Sequence, residues 1–439
     1  MRGTFGLIGK SAMALVLAAG IGAGALSVTT TAAVAKEKKA AKASYSKEFV
    51  AAAGPIQKTI NGIEDAKKKG ATAEQQLAMA GSASAELTAA EAAIKTELDR
   101  FAAGQFAVTL GGVLNDAGMR QRGMKNMLDS GMVPAENVAD YQFYLGNFAY
   151  SAKDYAAAIA ALTPIVQANY KESSAAELLA DAYDQQGQHA QALDALKMAL
   201  DARKAANQPV PDDWFKRANV IAYKNNLGPQ AIAWSTMMVE NDPTPLNWLG
   251  ASQLVRQFGT FTNQESLDLG RLLLRSGGLQ NDPKYVEREY VEYIEAADPR
   301  RLPGEVAKVA EMGVKAGILK TSDPFVSDAL AQARGRIAAD KASLPALDRE
   351  ARAGKDGRSA LAMADAYLSY DDAAKAEEMY KMAIEKGGVD MDRAYTRLGI
   401  SQVDQDKFED AKASFAKVGG ARTALARLWS AYASTQAMP

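Results

Sequence analysis

The sequence predicts an all-α protein made of stacked helical hairpins, an α-solenoid. Three observations predict it. Ala, Leu, Lys, Glu, Asp and Gln dominate, and the chain is 48% hydrophobic with only 7% aromatic residues. Most of these residue types favour helix. β-branched runs bounded by turn signals are scarce, so no strand ladder can be drawn. The chain also matches itself at a fixed interval, which is the mark of an array in which each unit buries its apolar face against its neighbours. An array of that kind accommodates 439 residues, a length that would otherwise ask for two or three domains.

The first 35 residues read as an address. Arg2 and Lys10 are followed by an uncharged stretch from Ser11 to Val28, and Ala33-Val34-Ala35 ends the segment. Positive, apolar, then small residues is the order of a secretory signal, with cleavage expected between Ala35 and Lys36. There is no paired arginine, which favours the general secretory route. A retained anchor is the competing reading, because the apolar stretch is near the lower limit for a span. Gly20, Gly22 and Gly24 dilute it, and Ala-Val-Ala favours cleavage. No other segment could span a bilayer. The expected location is beyond the inner membrane of a bacterium, which is the periplasm if the cell is Gram-negative. The charged start, Lys36-Glu37-Lys38-Lys39-Ala40-Ala41-Lys42, lacks an apolar face and reads as a tether.

Residues 36–103 hold this tether and two or three helices, joined at Pro55 and around Gly70, that would form an N-terminal cap. The repeats come next. Leu145-Gly146 returns 34 residues on as Leu179-Ala180. Tyr155 and Ala158 follow the first pair; Tyr183, Gly187, Ala192, Leu196 and Ala199 follow the second. Residues 139–172 and 173–206 are the clearest units. Near the other end, 357–390 carries Ala364, Tyr367, Ala376, Tyr380 and Ala383. The unit 392–425 carries Tyr395, Leu398, Gly399, Phe408, Ala411 and Phe415. The offset of 35 between these two places an extra residue in the Gly387-Gly388 turn. Weaker units are read at 104–138, from Leu110-Gly111, Leu114 and Gly123, and at 212–245, from Ala231 and Pro243.

This spacing resembles the tetratricopeptide repeat, in which a large residue and then a small one lie early in the first helix and small residues lie late in the second. The small residues let two helix axes approach, and the large ones fill the gap to the next hairpin. The resemblance implies a right-handed solenoid with TPR-like repeats at 104–245 and 357–425. It departs from the pattern at Ala149, flanked by Phe148 and Tyr150, and at His189, where an aromatic is common.

Between 246 and 356 the interval fades while helices continue, as degenerate hairpins. Asn281-Asp282-Pro283 and Ser322-Asp323-Pro324 read as helix starts, with Asp as N-cap and Pro in the first helical position. After Pro283, Val286, Tyr290, Tyr293 and Ile294 share one face, while Glu287, Glu289 and Glu292 are expected to point elsewhere. The last stretch, with Leu425, Leu428, Trp429 and Tyr432, reads as the helix that seals the apolar end. Residues 426–439 are its end and tail.

The composition excludes several chemistries. There is no cysteine, hence no disulfide, thiolate site or lipidated cysteine, and the only histidine is His189. A histidine triad or a multi-histidine metal site is therefore not expected, and neither is any cofactor. A formal net charge of −1 does not suit a nucleic-acid partner. His189 reads as a packing residue in a turn rather than a general base. Met119, Met124, Met127 and Met132 read as gap fillers rather than a soft-metal site. Trp214, Trp234, Trp248 and Trp429 read as core rather than sugar-stacking platforms. Asp212-Asp213 and Asp371-Asp372 sit where capping explains them. No nucleotide-binding loop, nucleophile elbow or calcium loop stands at usable spacing.

The resemblance further implies that the first helix of each unit lines a concave face. The positions that face a ligand in this family fall on Phe143, Asn147 and Tyr150 in one unit, beside Asp140 and Ser151. In the next they fall on Glu177, Asp181 and Asp184, beside Ser174 and Gln185. Glu177 and Asp181 would repel a chain-end carboxylate, so the family's carboxylate-clamp ligands are not expected. The expected ligand is an extended or helical peptide carrying basic and apolar groups. The leading function is an exported, non-enzymatic interaction scaffold whose partner is a protein or peptide, serving envelope assembly, cell division or polysaccharide export. The alternative is a cell-wall enzyme on a helical solenoid, similar to lytic transglycosylases; Glu265-Ser266 is the one near match to their motif. A third reading is self-assembly into a homo-oligomer.

Overall fold

The computed structural model describes residues 44–437. The expected signal segment and charged start lie outside them. Twenty-one α-helices and no strand occur among the described residues. None of these helices is long and apolar enough to cross a membrane. The described residues form two compact units, divided between Tyr170 and Lys171.

The first unit holds α1 (Lys47–Lys68), α2 (Ala73–Met79), α3 (Ala83–Ala92), α4 (Glu97–Val113), α5 (Ala117–Asp129), α6 (Val138–Ser151) and α7 (Tyr155–Gln167). The break expected at Pro55 is absent, and α1 runs through it. Pro55 removes one donor and crowds the carbonyl of Ala51, but both residues are exposed, so water takes the freed carbonyl. The opposite face buries Phe49, Ala53, Ile56, Ile60 and Ile63. At Gly70 the chain does turn, with φ +90°. α4 and α5 pack backbone to backbone: a Cβ on Gly104 would lie 2.5 Å from the Gly123 carbonyl oxygen. Met119, Met124 and Met127 are buried in this unit's core, and Met132 is exposed.

The second unit opens with α8 (Ser174–Gln185), α9 (His189–Ala205), α10 (Asp212–Lys224) and α11 (Gly228–Asn241). It continues through α12 (Pro245–Phe258), α13 (Asn263–Arg275), α14 (Pro283–Ala297), α15 (Pro303–Lys315) and α16 (Pro324–Ala353). It ends with α17 (Arg358–Ser369), α18 (Ala373–Lys386), α19 (Met391–Val403), α20 (Phe408–Phe415) and α21 (Thr423–Gln436). Asp282 and Asp323 cap α14 and α16, each followed by Pro. All four tryptophans are buried in this unit. Glu289 does not face solvent as expected: it is 3% exposed, because Arg256 of α12 pairs with it.

One turn geometry recurs in every unit that the sequence marks as a repeat. Asn115, Lys153, Gly187, Asn226, Asp371 and Asp406 all have φ between +52° and +72°. In each case the next residue donates its N–H back across the helix end. Asp116 donates to Gly111, Asp154 to Ala149, Gln188 to Tyr183, Leu227 to Ala222, Asp372 to Tyr367 and Lys407 to Gln402, at 2.8–3.0 Å. This is the Schellman closure, which satisfies the orphan carbonyls of the first helix. Asp116, Asp154 and Asp372 then cap the second helix. In the centre the interval is lost for a visible reason. α13 and α14 are joined through a short 3-10 turn at Gly278–Gln280. The Gly317 turn is followed by residues 318–322 before Asp323 caps α16. Gly387 and Gly388 both have positive φ, +68° and +71°, and take up the extra residue of the C-terminal pair.

The final helix does more than seal the last hairpin. α21 does cover α20, but its other side is seated on α11, α12 and α13. The Tyr432 ring meets Trp248 at 5.6 Å. Trp429 Nε1 donates to the Asp268 carbonyl at 3.1 Å, and the Tyr432 hydroxyl to the Arg275 carbonyl at 3.1 Å. Leu425, Leu428 and Trp429 are fully buried, each worth about 1.5–3 kcal/mol of transfer free energy. The second unit therefore closes on itself from α11 round to α21, rather than ending on an open apolar face.

Candidate functional site

The closure rests on charge. α13 reads NQESLDLGRLLLR, and Leu267, Leu269, Leu272 and Leu273 are fully buried. Asp268 and Arg271 lie between these leucines, 0% and 1% exposed. Asp268 accepts from Arg397 Nε at 2.9 and 3.1 Å, from Arg271 at 3.1 Å, and from Arg422. Arg271 forks onto Glu305 of α15 with two bonds of 2.7 Å. Arg397 of α19 reaches Asp365 of α17 at 2.6 Å, and Arg393 pairs with the same carboxylate. Arg422 holds Glu265 at 2.6 Å. Tyr293 and Tyr380 donate their hydroxyls to Glu305 and Asp365 at 2.7 Å. At the edge, Arg275 forks onto Asp404 with two bonds of 2.5 Å.

Four guanidinium groups (Arg271, Arg393, Arg397, Arg422) thus meet four carboxylates (Glu265, Asp268, Glu305, Asp365). Burial pushes the Asp268 carboxyl up, but Arg397, Arg422 and Arg271 more than reverse that and leave it below its ordinary range. Asp365 is lowered in the same way against burial by Arg397 and Arg393, and Glu305 by Arg271. A general acid needs the opposite, a carboxyl held protonated near neutral pH. The inner side of this unit is filled by its own matched charges.

That disposes of Glu265 as a transglycosylase-type acid. Its carboxylate closes a capping box with Thr262 and accepts from Arg422. Burial raises it, and the Thr262 and Arg422 contacts lower it below its usual value.

The sequence-chosen residues fall on two strips. Phe143, Asn147 and Tyr150 share one face of α6 in the first unit. Phe143 does not stand open to a ligand: it is 8% exposed, with the Tyr170 ring 5.6 Å away and Tyr144 at 5.7 Å. A large aromatic next to another ring gains more from stacking than from facing water. Asn147 is half-buried, and Tyr150 sets its edge on Tyr155 at 5.5 Å.

Glu177, Asp181 and Asp184 share one face of α8 in the second unit. Asp184 is engaged by His189 Nδ1 at 2.6 Å and by Asn225 at 3.4 Å, so His189 pins a turn. Asp181 pairs with Arg217 of α10 at 3.1 Å. Glu177 has no ion-pair partner within reach among the described residues. Burial raises the carboxyls of both Glu177 and Asp181; Arg217 opposes this, while Asp213 and Asp181 add to it at Glu177, and Asp184 at Asp181.

The repeat contact itself is visible in both units. A Cβ on Gly146 would lie 2.4 Å from Leu162, and one on Gly399 2.4 Å from Phe415, the same step along the hairpin each time. Small residue on large, joined by the recurrent turn, defines the unit. The hairpins resemble tetratricopeptide repeats in this contact and this turn. No protein-family model matches the chain, and no curated protein does. Among solved structures, the chain is similar to a tetratricopeptide repeat protein from Parabacteroides merdae, at 13% identity and a TM-score of 0.28, covering 76% of this chain and 99% of that one. It is similar to the TPR2AB domain of yeast Sti1, solved in a pHSP90 complex, at 17% identity and a TM-score of 0.23, covering 69% and 96%. It is also similar to the apo form of RapI, at 10% identity and a TM-score of 0.30, covering 76% and 97%.

The buried network was not found in the sequence. Charges at three-residue spacing inside a leucine run, as in Asp268 and Arg271, were its one local signal.

Proposed function

We propose that this chain of tetratricopeptide-like hairpins is an exported bacterial scaffold that binds a protein or peptide in the cell envelope and carries out no reaction. The observation that carries the reading is the α8–α10 face. Glu177 and Asp181 are half-buried, and of the two only Asp181 has an ion pair, with Arg217, among the described residues. Val220, one turn along α10 from Arg217, is 47% exposed. Desolvated carboxylates with too few counter-charges favour a ligand that brings a cation, since a buried charge is costly until paired. An exposed valine one turn from Arg217 suits an apolar neighbour on that ligand. The resemblance-based choice of Glu177, Asp181 and Asp184 is kept, with Arg217 and Val220 added.

The test is a photo-crosslinking amino acid at Val220 in living cells, followed by affinity measurement on the captured partner. Glu177→Lys with Asp181→Lys should weaken binding about tenfold or more, the scale of one charge-assisted contact. Unchanged affinity would discard this face. Export is tested separately, by the mass of the purified protein: a start at Lys36 supports it, and an intact N-terminus in the cytoplasmic fraction overturns it.

A further inference from the structure

A cavity of about 530 Å³ lies within the closed part of the second unit, away from the α8–α10 face. Its charged lining comes from three successive stations: Arg301 in the turn before α15, Arg358 at the start of α17 and Arg393 in the first turn of α19. Arg358 and Arg393 stand 35 positions apart, at the same step of adjacent repeats. Leu302, Leu361 and Val389 supply an apolar wall.

The acidic groups at this cavity are already engaged. Asp365 gives one oxygen to Tyr380 and the other to Arg397 and Arg393. Asp390 accepts the Arg393 backbone N–H at 3.0 Å as the cap of α19. The arginines are less committed. Arg301 has no side-chain ion pair or hydrogen bond among the described residues. Arg358 holds only Asp356, in an exposed pair two residues away in sequence. Arg393 Nε is buried and finds no acceptor.

We propose that this cavity binds a small organic anion. Its carboxylate or phosphate would be taken by Arg301, Arg358 and Arg393, and its carbon body would rest on Leu302, Leu361 and Val389. Guanidinium forks match both anions in two-point geometry, and the volume is that of a small-molecule site. The proposal is independent of the α8–α10 face.

Calorimetric titration of the purified protein with glutarate and, separately, with inorganic phosphate tests it and tells the two anion types apart. At least one probe should bind, more weakly as salt is raised. Arg301→Gln with Arg358→Gln should weaken that binding about tenfold or more. Both side chains are exposed and lie outside the buried network, so the variant should melt like the parent. If it does not fold, Arg301→Gln alone, which breaks no ion pair, replaces it. Lys315→Gln, in a neighbouring cavity, should leave binding intact. Failure of both probes to bind, or binding that survives loss of the arginines, overturns the proposal.

Discussion

Arg397 and Asp268 stand 129 residues apart in the chain, yet their charged groups meet at 2.9 Å with neither side chain exposed. This pair ties the middle of the second unit to its end.

Removing one member leaves the other buried and short of one counter-charge, although Arg271 and Arg422 still face Asp268 and Asp365 still faces Arg397. Arg397→Leu or Asp268→Leu should each cost about 3–5 kcal/mol. The double variant should cost less than the sum, because two apolar side chains then fill the site. Urea unfolding of the four proteins in a cycle measures the difference; strict additivity would show that the two charges do not interact.

The same network sets the response to acid. The carboxyls of Asp268, Glu305 and Asp365 are lowered in the folded protein, and Glu377, held by Lys381, Lys407 and two glutamines, is lowered to about 2. A depressed folded value means stability that is fully present above the unfolded value, roughly pH 4, and lost as pH falls through the folded one. Stability should therefore be insensitive to pH from neutrality to about pH 5, then drop steeply. Glu377→Gln should flatten that drop, as read from unfolding free energy against pH.

The recurrent hairpin turn carries an avoidable strain at Lys153, whose φ is +64°. Gly187 occupies the equivalent place in the next repeat at no steric cost. Lys153→Gly should stabilise the first unit by about 0.5–1 kcal/mol. A shift of the thermal midpoint downward would show that the lysine contributes contacts that outweigh its backbone.

At the repeat contact the direction reverses. Gly146→Ala and Gly399→Ala each place a methyl 2.4 Å from Leu162 or Phe415. Overpacking of this kind costs about 1–3 kcal/mol. Restoring the fit with Leu162→Ala in the Gly146→Ala background should recover part of the loss.

The hairpins were legible because their signals are local. A small residue early in one helix, another late in the next, and a turn that tolerates positive φ all lie within one repeat. The ion network was not legible, for the converse reason. Asp268, Glu305, Asp365, Arg397 and Arg422 stand on separate elements far apart in sequence, and only the packing of those elements on one another brings their charges together. Phe143 misled in a related way. Its place in the repeat marks a ligand-facing position, but Tyr170, a residue outside the repeat pattern, covers it. Pro55 misled because solvent exposure, which the sequence does not state, makes a mid-helix proline tolerable.

The return of α21 also orders events in time. Arg422 is synthesised 154 residues after Asp268, which at ribosomal speed is about 8–30 s later. Throughout that interval the nascent chain holds a carboxylate among leucines without its full set of counter-ions, so this half of the molecule cannot settle before its last helix emerges. A ribosome stalled short of Arg422 should display a protease-sensitive product, and the cell has until then to move, hold or discard it.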